Sequence, residues 1–381
     1  MSKTILIAPD SFKGSLTAGE AADAMERGVR GFFPDAIVIR HPIADGGEGL
    51  VSIVTPVLGG TMMTTNVSGP LPGQSVQARW GYVAERSLAI IEMAEAAGLP
   101  LVPQERRDPK ITTTYGVGQL ILAALDAGAS SILLGIGGSA TNDGGAGMAE
   151  ALGVRFLDAD GNQIKRGGAA LQDLAKLDAS GKDSRLDRTT IMVACDVQNP
   201  LCGSQGASAV YGPQKGASQT DVRVLDRALE RYASIIRAST SIDVLTLPGG
   251  GAAGGLGAGL VAFCGGTLKR GIDLVLDITR FDDQVRKADL LITGEGRIDS
   301  QVKFGKALSG VIGAARKHRI PALAVVGGVE GPRGVFVNDE FLTDLESLVD
   351  KHTSVETAMK GASKLVAEKT GLLLRRYFSR T

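Results

Sequence analysis

The sequence has few aromatic residues, 4% of its 381 positions, and only three cysteines. Cys195, Cys202 and Cys264 form no Cys-x-x-Cys pair, which excludes a zinc ribbon and a disulfide scaffold and favours a reducing compartment. Hydrophobic residues nevertheless make up 44% of the chain. With so few rings, the core must consist of Leu, Val, Ile and Ala, as in buried parallel strands and their covering helices.

The sequence also lacks net charge, because 41 Lys and Arg balance 41 Asp and Glu. This balance excludes a general surface for nucleic acids or anionic membranes, although a local anion pocket is compatible with it. No apolar run reaches the length of a membrane-spanning helix, and the one near the N-terminus is too short for a signal peptide. We therefore expect a cytoplasmic protein without nucleic-acid or membrane partners, and we leave a homodimer open.

Glycine, in contrast, is abundant, with 52 residues. The excess is clustered at 46–49, 135–147, 249–259 and 294–296, and several clusters follow apolar runs typical of buried strands. Ligands of open α/β sheets bind at such strand ends. A glycine cluster there indicates a backbone that approaches another group closely.

The order of strand-like and helix-like segments predicts an α/β fold of two domains. A discontinuous Rossmann- or flavodoxin-like domain is expected over 1–60, 111–148 and 286–381. A second, mixed α/β domain is expected to be inserted, over 61–110 and 149–285. Its first β-like runs, 62–67 and 75–83, are joined by the Gly- and Pro-rich segment 68–73, which is typical of a turn between antiparallel strands. The cleft between the two domains is the expected active site.

Two loops near the N-terminus carry the strongest chemical signal. Asp10, Ser11 and Lys13 follow the first strand-like run, and Gly14-Ser15 is expected to open a helix. A lysine beside helix amides suits an anionic ligand. Asp45 and Glu48 flank Gly46-Gly47 after the next strand, and paired acids in such a turn suit a divalent cation or proton transfer. A solvated lysine and helix-capping acids are the ordinary alternatives.

Later loops add further polar candidates. Hydroxyls before a helix can seat a phosphate or simply cap the helix. A turn residue is the alternative for Asp143, and an internal salt bridge is the alternative for Glu295, Arg297 and Asp299. The candidates in these loops are Thr113, Thr114, Gly137, Gly138, Ser139, Asn142, Asp143, Asp196, Asn199, Glu295, Arg297 and Asp299.

The segment Gly135-x-Gly137-x-x-Ala140 also matches the dinucleotide-binding fingerprint. It makes an NAD-dependent hydroxy-acid dehydrogenase one alternative, although residues 141–145 prolong the loop where a helix should open. A non-catalytic module that binds a nucleotide or a sugar acid is the other alternative. Against it stand the many acids in Gly-rich loops, more than a neutral ligand requires.

Seven segments in one order resemble the glycerate kinase type 1 family, and they span nearly the whole chain. They are Ala8–Ser15, Ala44–Gly49, Thr113–Gly116, Gly137–Gly145, Asp196–Gly203, Gly251–Gly257 and Thr293–Asp299. The resemblance implies ATP-dependent phosphorylation of D-glycerate at its 2-hydroxyl, which yields 2-phosphoglycerate. It also implies a Rossmann-like domain with a second α/β domain.

Chemistry, rather than the resemblance, suggests the residue roles. Lys13 or Arg297 can neutralise the transferring phosphoryl group or hold the glycerate carboxylate. Asp45 or Asp196 can accept the hydroxyl proton. Mg²⁺ needs one or two carboxylates, for which the candidates are Asp45, Glu48, Asp196, Glu295 and Asp299. The expected binding residues for substrate and phosphates are Asp10, Ser11, Lys13, Thr113, Thr114, Gly137, Gly138, Ser139, Asn142, Asp143 and Asn199.

Overall fold

A computed structural model of the chain describes residues 3–44, 47, 49–299 and 307–380. The predicted site residues Asp45 and Glu48 lie outside the described residues. The chain divides into two compact units. The first unit comprises Met1–Asp45 and Ile272–Thr381, and the second comprises Gly46–Gly271.

The secondary structure alternates between strands and helices along most of the chain. The strands are β1 Thr4–Pro9, β2 Ile37–Arg40, β3 Thr61–Ser68, β4 Ser75–Val83, β5 Leu88–Glu92, β6 Ser131–Gly135, β7 Arg155–Leu157, β8 Lys176–Asp178, β9 Thr190–Ala194, β10 Thr267–Lys269, β11 Leu290–Gly294, β12 Arg297–Ile298, β13 Ala322–Val326, β14 Gly328–Val329 and β15 Asp344–Ser347. The helices are α1 Ala18–Phe32, α2 Leu50–Val57, α3 Ala94–Ala97, α4 Tyr115–Asp126, α5 Ala146–Ala151, α6 Ala207–Tyr211, α7 Gln219–Thr240, α8 Ala252–Cys264, α9 Gly271–Ile278, α10 Phe281–Val285, α11 Ala307–Lys317, α12 Val355–Lys360 and α13 Ala362–Phe378. Within the described ranges, none of these helices is both long and apolar enough to cross a bilayer.

The first unit contains a parallel five-stranded sheet in the order β15-β13-β11-β1-β2. Its central strand β1 is buried on both faces. Ile5 and Ile7 pack into the cluster that includes α1 and α13, whereas Leu6 and Ala8 pack into the cluster that includes α11. This double burial explains why the strand is continuously apolar in sequence.

The strand order of this sheet is the flavodoxin-like one, confirming the α/β fold class predicted from the sequence. From β1 the chain proceeds to β2 on one side, and later from β11 to β13 and β15 on the other. The loops that leave β1 and β11 therefore diverge at the point where such sheets bind ligands.

The second unit contains a mixed six-stranded sheet in the order β10-β9-β6-β5-β4-β3. The strands from β10 to β5 are parallel. Strands β3 and β4 pair antiparallel, as the turn chemistry of residues 68–73 predicts, and β4 also pairs antiparallel with β5. A single large apolar cluster covers this sheet and includes Trp80 and Tyr232.

The expected domain boundaries differ from the division that the structure shows. Residues 46–60 and 111–148 belong to the second unit, and 272–285 belong to the first. In particular, β6 pairs with β5 and β9 rather than with β1. The reason is that both sheets contain parallel strands followed by glycine loops, so this local pattern does not distinguish one domain from the other.

Candidate active site

The loop after β1 forms a tight turn that exposes Lys13. Phe12 is buried beneath it, and its amide and carbonyl groups bond to Leu16 and Ser15 to close the turn. Helix α1 begins only at Ala18, after a capping box between Thr17 and Glu20. The expectation that Gly14-Ser15 opens the helix is therefore wrong, and Lys13 lies in a separate turn before it.

Lys13 lines an open pocket of about 510 Å³ at the carboxyl edge of the first sheet. The loops after β1, β11, β13 and β15 supply the lining, together with α12. Arg297 lines the same pocket, and its guanidinium is paired with the carboxylate of Glu330. Lys13 has no side-chain hydrogen bond or ion pair within the described residues. The structure thus brings two of the predicted cations together, and leaves the ammonium of Lys13 available to an anion.

The remaining polar candidates of the first unit lie in the same two loops. Asp10 and Ser11 are half-buried, and the Ser11 amide donates to the Asp10 carboxylate at 2.6 Å. Glu295 is buried, with 8% of its surface exposed, whereas Asp299 is half-buried. Across residues 3–44, 47, 49–299 and 307–380, no group of three or more His, Cys, Asp or Glu side chains could hold a metal ion. A Mg²⁺ site here therefore stays a prediction.

In the second unit, Asp143 is a buried anchor of its loop. Its carboxylate accepts hydrogen bonds from the amide (2.8 Å) and hydroxyl (2.9 Å) of Thr114 and from the amides of Gly145 (3.2 Å) and Gly147 (3.3 Å). Burial raises the pKa of Asp143, and these four donors oppose the rise. Thr113 is buried as well. Asp143 and Thr114 thus connect the starts of α4 and α5, so direct ligand contact by Thr113, Thr114 or Asp143 remains only a prediction.

The glycine cluster at 249–259 packs against this same loop. The Gly144 amide donates to the Gly254 carbonyl at 3.0 Å. A Cβ atom on Gly254 would lie 1.9 Å from the Thr141 carbonyl oxygen, and Gly254 itself has a φ of +67°. Two backbones therefore meet at a distance that no side chain permits, as the clustered glycines predict.

The predicted polar residues of this loop differ in exposure. Gly137 and Gly138 are exposed, whereas Ser139 and Asn142 are buried. The Asn142 amide donates to the Ser208 hydroxyl at 3.0 Å. The exposed part of the loop is therefore Gly137 and Gly138, directly before Ser139, of which 8% is exposed.

The loop after β9 carries the two remaining candidates. Asp196 is exposed and accepts a hydrogen bond from the Gly271 amide at 2.9 Å. Asn199 donates to the Gln205 carbonyl (2.8 Å) and accepts from the Tyr211 hydroxyl (2.7 Å), so both ends of its amide hold the loop. Of these two residues, only Asp196 therefore presents an exposed polar group to a ligand.

Comparisons with known proteins agree with this architecture. The sequence profile of the glycerate kinase family matches residues 5–377. The chain belongs to the glycerate kinase family. It is 48% identical to glycerate kinase of Halalkalibacterium halodurans, covering 96% of both chains. It is 47% identical to glycerate 2-kinase of Escherichia coli K12, over 94% of this chain and 93% of that one.

A solved structure supports the same assignment for this glycerate kinase family member. The crystal structure from Salmonella typhimurium LT2, assigned as a glycerate kinase 2, superposes with a TM-score of 0.90 at 46% identity. The match covers 100% of this chain and 99% of that chain. The dehydrogenase and the non-catalytic binding module are therefore not favoured. Consistently, no helix opens within Gly135–Ala140, and α5 starts only at Ala146.

Sequence reasoning missed two buried ionisable residues in this glycerate kinase fold. Lys215 is 2% exposed, and burial lowers its pKa to about 7, while the Asp143 carboxylate partly offsets this. Glu92, at the end of β5, accepts from the amides of Gly49 (2.8 Å) and Val51 (3.0 Å) at the start of α2, and burial raises its pKa. Neither residue follows a glycine-rich motif, so only the three-dimensional contacts identify them.

Proposed function

We infer that this chain phosphorylates D-glycerate, with ATP as the donor and the 2-hydroxyl as the acceptor, to yield 2-phosphoglycerate. The observation that carries this conclusion is the family match over residues 5–377, together with the 47% identity to a glycerate 2-kinase. The acceptor hydroxyl rests on the name of that relative, because no residue pattern here identifies one hydroxyl of glycerate.

Phosphoryl transfer depends on positioning and charge neutralisation more than on covalent chemistry. Lys13 is our principal candidate for that charge, because it is exposed in the pocket of the first unit and unpaired among the described residues. Arg297 lines the same pocket, but its guanidinium forms an ion pair with the carboxylate of Glu330. Lys13 can contact either the transferring phosphoryl group or the glycerate carboxylate, and these two uses have different kinetic signatures.

We propose that a carboxylate accepts the proton of the attacking hydroxyl, with Asp45 and Asp196 as the candidates. Asp196 fits this role in its exposure, and the Gly271 amide fixes its orientation. Mg²⁺ bound with ATP would need only one or two carboxylates, so the lack of a three-acid cluster in the described ranges is compatible with it. When bound, the ion would neutralise charge on the phosphate oxygens.

A coupled assay tests the reaction and its regiochemistry together. The purified protein is incubated with ATP, Mg²⁺ and D-glycerate in the presence of enolase, and phosphoenolpyruvate is measured. A signal with enolase alone is expected, because enolase acts on 2-phosphoglycerate. A signal only after phosphoglycerate mutase is added would mean that the 3-isomer is formed. No phosphoenolpyruvate in either assay would refute the kinase activity itself.

A further inference from the structure

We propose that the segment Gly137–Ser139 is a phosphate-binding site, and that buried Lys215 is the positioning residue that makes the Ser139 hydroxyl a donor toward a nucleotide phosphate. This inference deepens the proposed function and rests on it. It begins from the position of a lysine ammonium inside the second unit.

Lys215 ends a short 3-10 turn, Pro213–Lys215, and its side chain enters the interior. Its ammonium donates to the Ser139 hydroxyl oxygen at 2.7 Å and to the Thr141 carbonyl oxygen at 2.6 Å. An ammonium group has donors only. When Lys215 is charged, Ser139 must therefore accept in this contact, which leaves the hydroxyl hydrogen of Ser139 free for another acceptor.

No such acceptor for Ser139 exists among the residues that the structure describes. The amide groups of Gly137, Gly138 and Ser139 likewise donate to no acceptor in the described part of the chain. Three successive free amides and one hydroxyl thus lie together, directly after the carboxyl end of β6 and with the two glycines exposed. Consecutive backbone amides of this kind form anion-binding concavities.

The backbone around these donors is held from the opposite side. The Leu99 amide donates to the Gly138 carbonyl at 2.8 Å, and the Ala140 amide donates to the Ala97 carbonyl at 2.9 Å. Gly138 has a φ of +72°, which favours glycine. The loop is therefore shaped before any ligand arrives, and the amide groups of Gly137, Gly138 and Ser139 are free to donate.

The burial of the Lys215 ammonium has a free-energy cost that a bound anion would offset. A buried ammonium is unfavourable unless it is paired, and its two described hydrogen-bond acceptors are uncharged. A phosphate bound to Ser139 would place negative charge one hydrogen bond away from it. Charge-assisted hydrogen bonds are about twice as strong as neutral ones, so Lys215 would strengthen a contact that it does not itself make.

The test measures nucleotide affinity directly, by calorimetric titration of the intact protein with Mg-ADP, alongside the Michaelis constants for ATP and D-glycerate. Ser139→Ala and Lys215→Met should each weaken Mg-ADP binding about tenfold or more and raise KM for ATP similarly, with KM for glycerate within about twofold of wild type. The double variant should bind Mg-ADP with nearly the same affinity as the single variant that binds it less tightly, because both substitutions remove the same contact.

Lys182→Met is the matched control, since this lysine of the same unit is paired with Asp187 at the surface and should leave nucleotide affinity unchanged. Lys215→Met can fail to fold, which circular dichroism would show. Ser139→Ala then decides the question, because it removes one hydroxyl from an otherwise intact loop. Unchanged Mg-ADP affinity in Ser139→Ala would overturn the proposal. A raised KM for glycerate, with the KM for ATP unchanged, would also overturn it and would indicate that the site binds the glycerate carboxylate instead.

These outcomes separate this inference from the proposed function. An enzyme that phosphorylates glycerate but whose Ser139→Ala variant binds Mg-ADP normally would refute only the phosphate site. A protein that binds Mg-ADP through Ser139 but does not phosphorylate glycerate would refute only the acceptor. If the wild-type protein binds no Mg-ADP, both the phosphate site and the proposed use of ATP are refuted.

Discussion

Replacing Lys13 by Ala isolates the role of the first loop, because the native contacts of this side chain are so few. The side chain is exposed in the pocket and has no partner among the described residues. Surface substitutions of this kind change stability by about 0.5 kcal/mol or less. A loss of activity in Lys13→Ala without a matching loss of stability would then indicate a lost contact with a ligand.

The size and kind of the loss depend on which ligand group Lys13 contacts. If its ammonium stabilises the transferring phosphoryl group, kcat should fall about a hundredfold or more, which corresponds to about 2.7 kcal/mol. If it holds the glycerate carboxylate equally in the ground and transition states, KM for glycerate should rise about tenfold or more with kcat nearly unchanged. Lys13→Arg should not restore full activity in either case, because the guanidinium is planar and bulkier.

The assay is steady-state kinetics for ATP and glycerate, with thermal unfolding as the check on the fold. Lys287→Ala provides a matched control, because Lys287 is an exposed lysine of the same unit, just before β11 at the opposite end of the sheet. Its kinetic constants should equal those of the wild type. If Lys13→Ala also keeps kcat and both KM values within about twofold, Lys13 is a solvated turn residue and the first loop is not part of the active site.

Three further outcomes are expected. Activity should be lost in EDTA and restored by Mg²⁺, and full turnover in EDTA would contradict the requirement for a divalent cation. Asp45→Asn should lower turnover about a hundredfold or more with little change in melting temperature. Glu92 already satisfies two amides at the start of α2, so a capping role for Asp45 is less needed, and near-normal turnover with a lowered melting temperature would favour capping. Burial lowers the pKa of His41 from 6.5 to about 4, so its contribution to stability is full above pH 6.5 and is lost as the pH falls toward 4. About 2 kcal/mol should be lost by pH 5. The melting temperature of the wild type should therefore drop more between pH 7 and pH 5 than that of His41→Gln, and equal drops would refute this origin.

Much of the fold could be predicted from the sequence because its signals are local. Apolar runs ended by glycine loops identify β1, β6, β9 and β11, and the turn at residues 68–73 predicts the antiparallel pairing of β3 with β4. The assignment of each strand to a sheet is a different matter. Strand β6 pairs with β9, more than fifty residues later in the chain, and no local pattern specifies that partner.

The same limit applies to the candidate site. Lys215 follows Pro213 and Gln214 and precedes a glycine, a context typical of a surface turn, yet its ammonium reaches Ser139, 76 residues earlier. A lysine in such a context is normally solvated. Its burial follows from how the loops after β6 and α6 pack together, and that is a property of the tertiary structure.

The residues that the sequence predicts as ligand contacts fall into two classes, according to whether their polar groups already form hydrogen bonds within the protein. Asp143 and Asn199 use their polar atoms on backbone and side-chain groups of their own unit, so their substitution should disturb the loop itself. The amide groups of Gly137 and Gly138, by contrast, have donors that no described residue uses, and the ammonium of Lys13 is equally free. Both classes lie in loops that follow strand-like runs, which explains why the sequence predicted both as ligand contacts. The donors of Gly137, Gly138 and Lys13 are exposed and can bond to water or to a ligand, so these residues are the more accessible candidates for ligand contact.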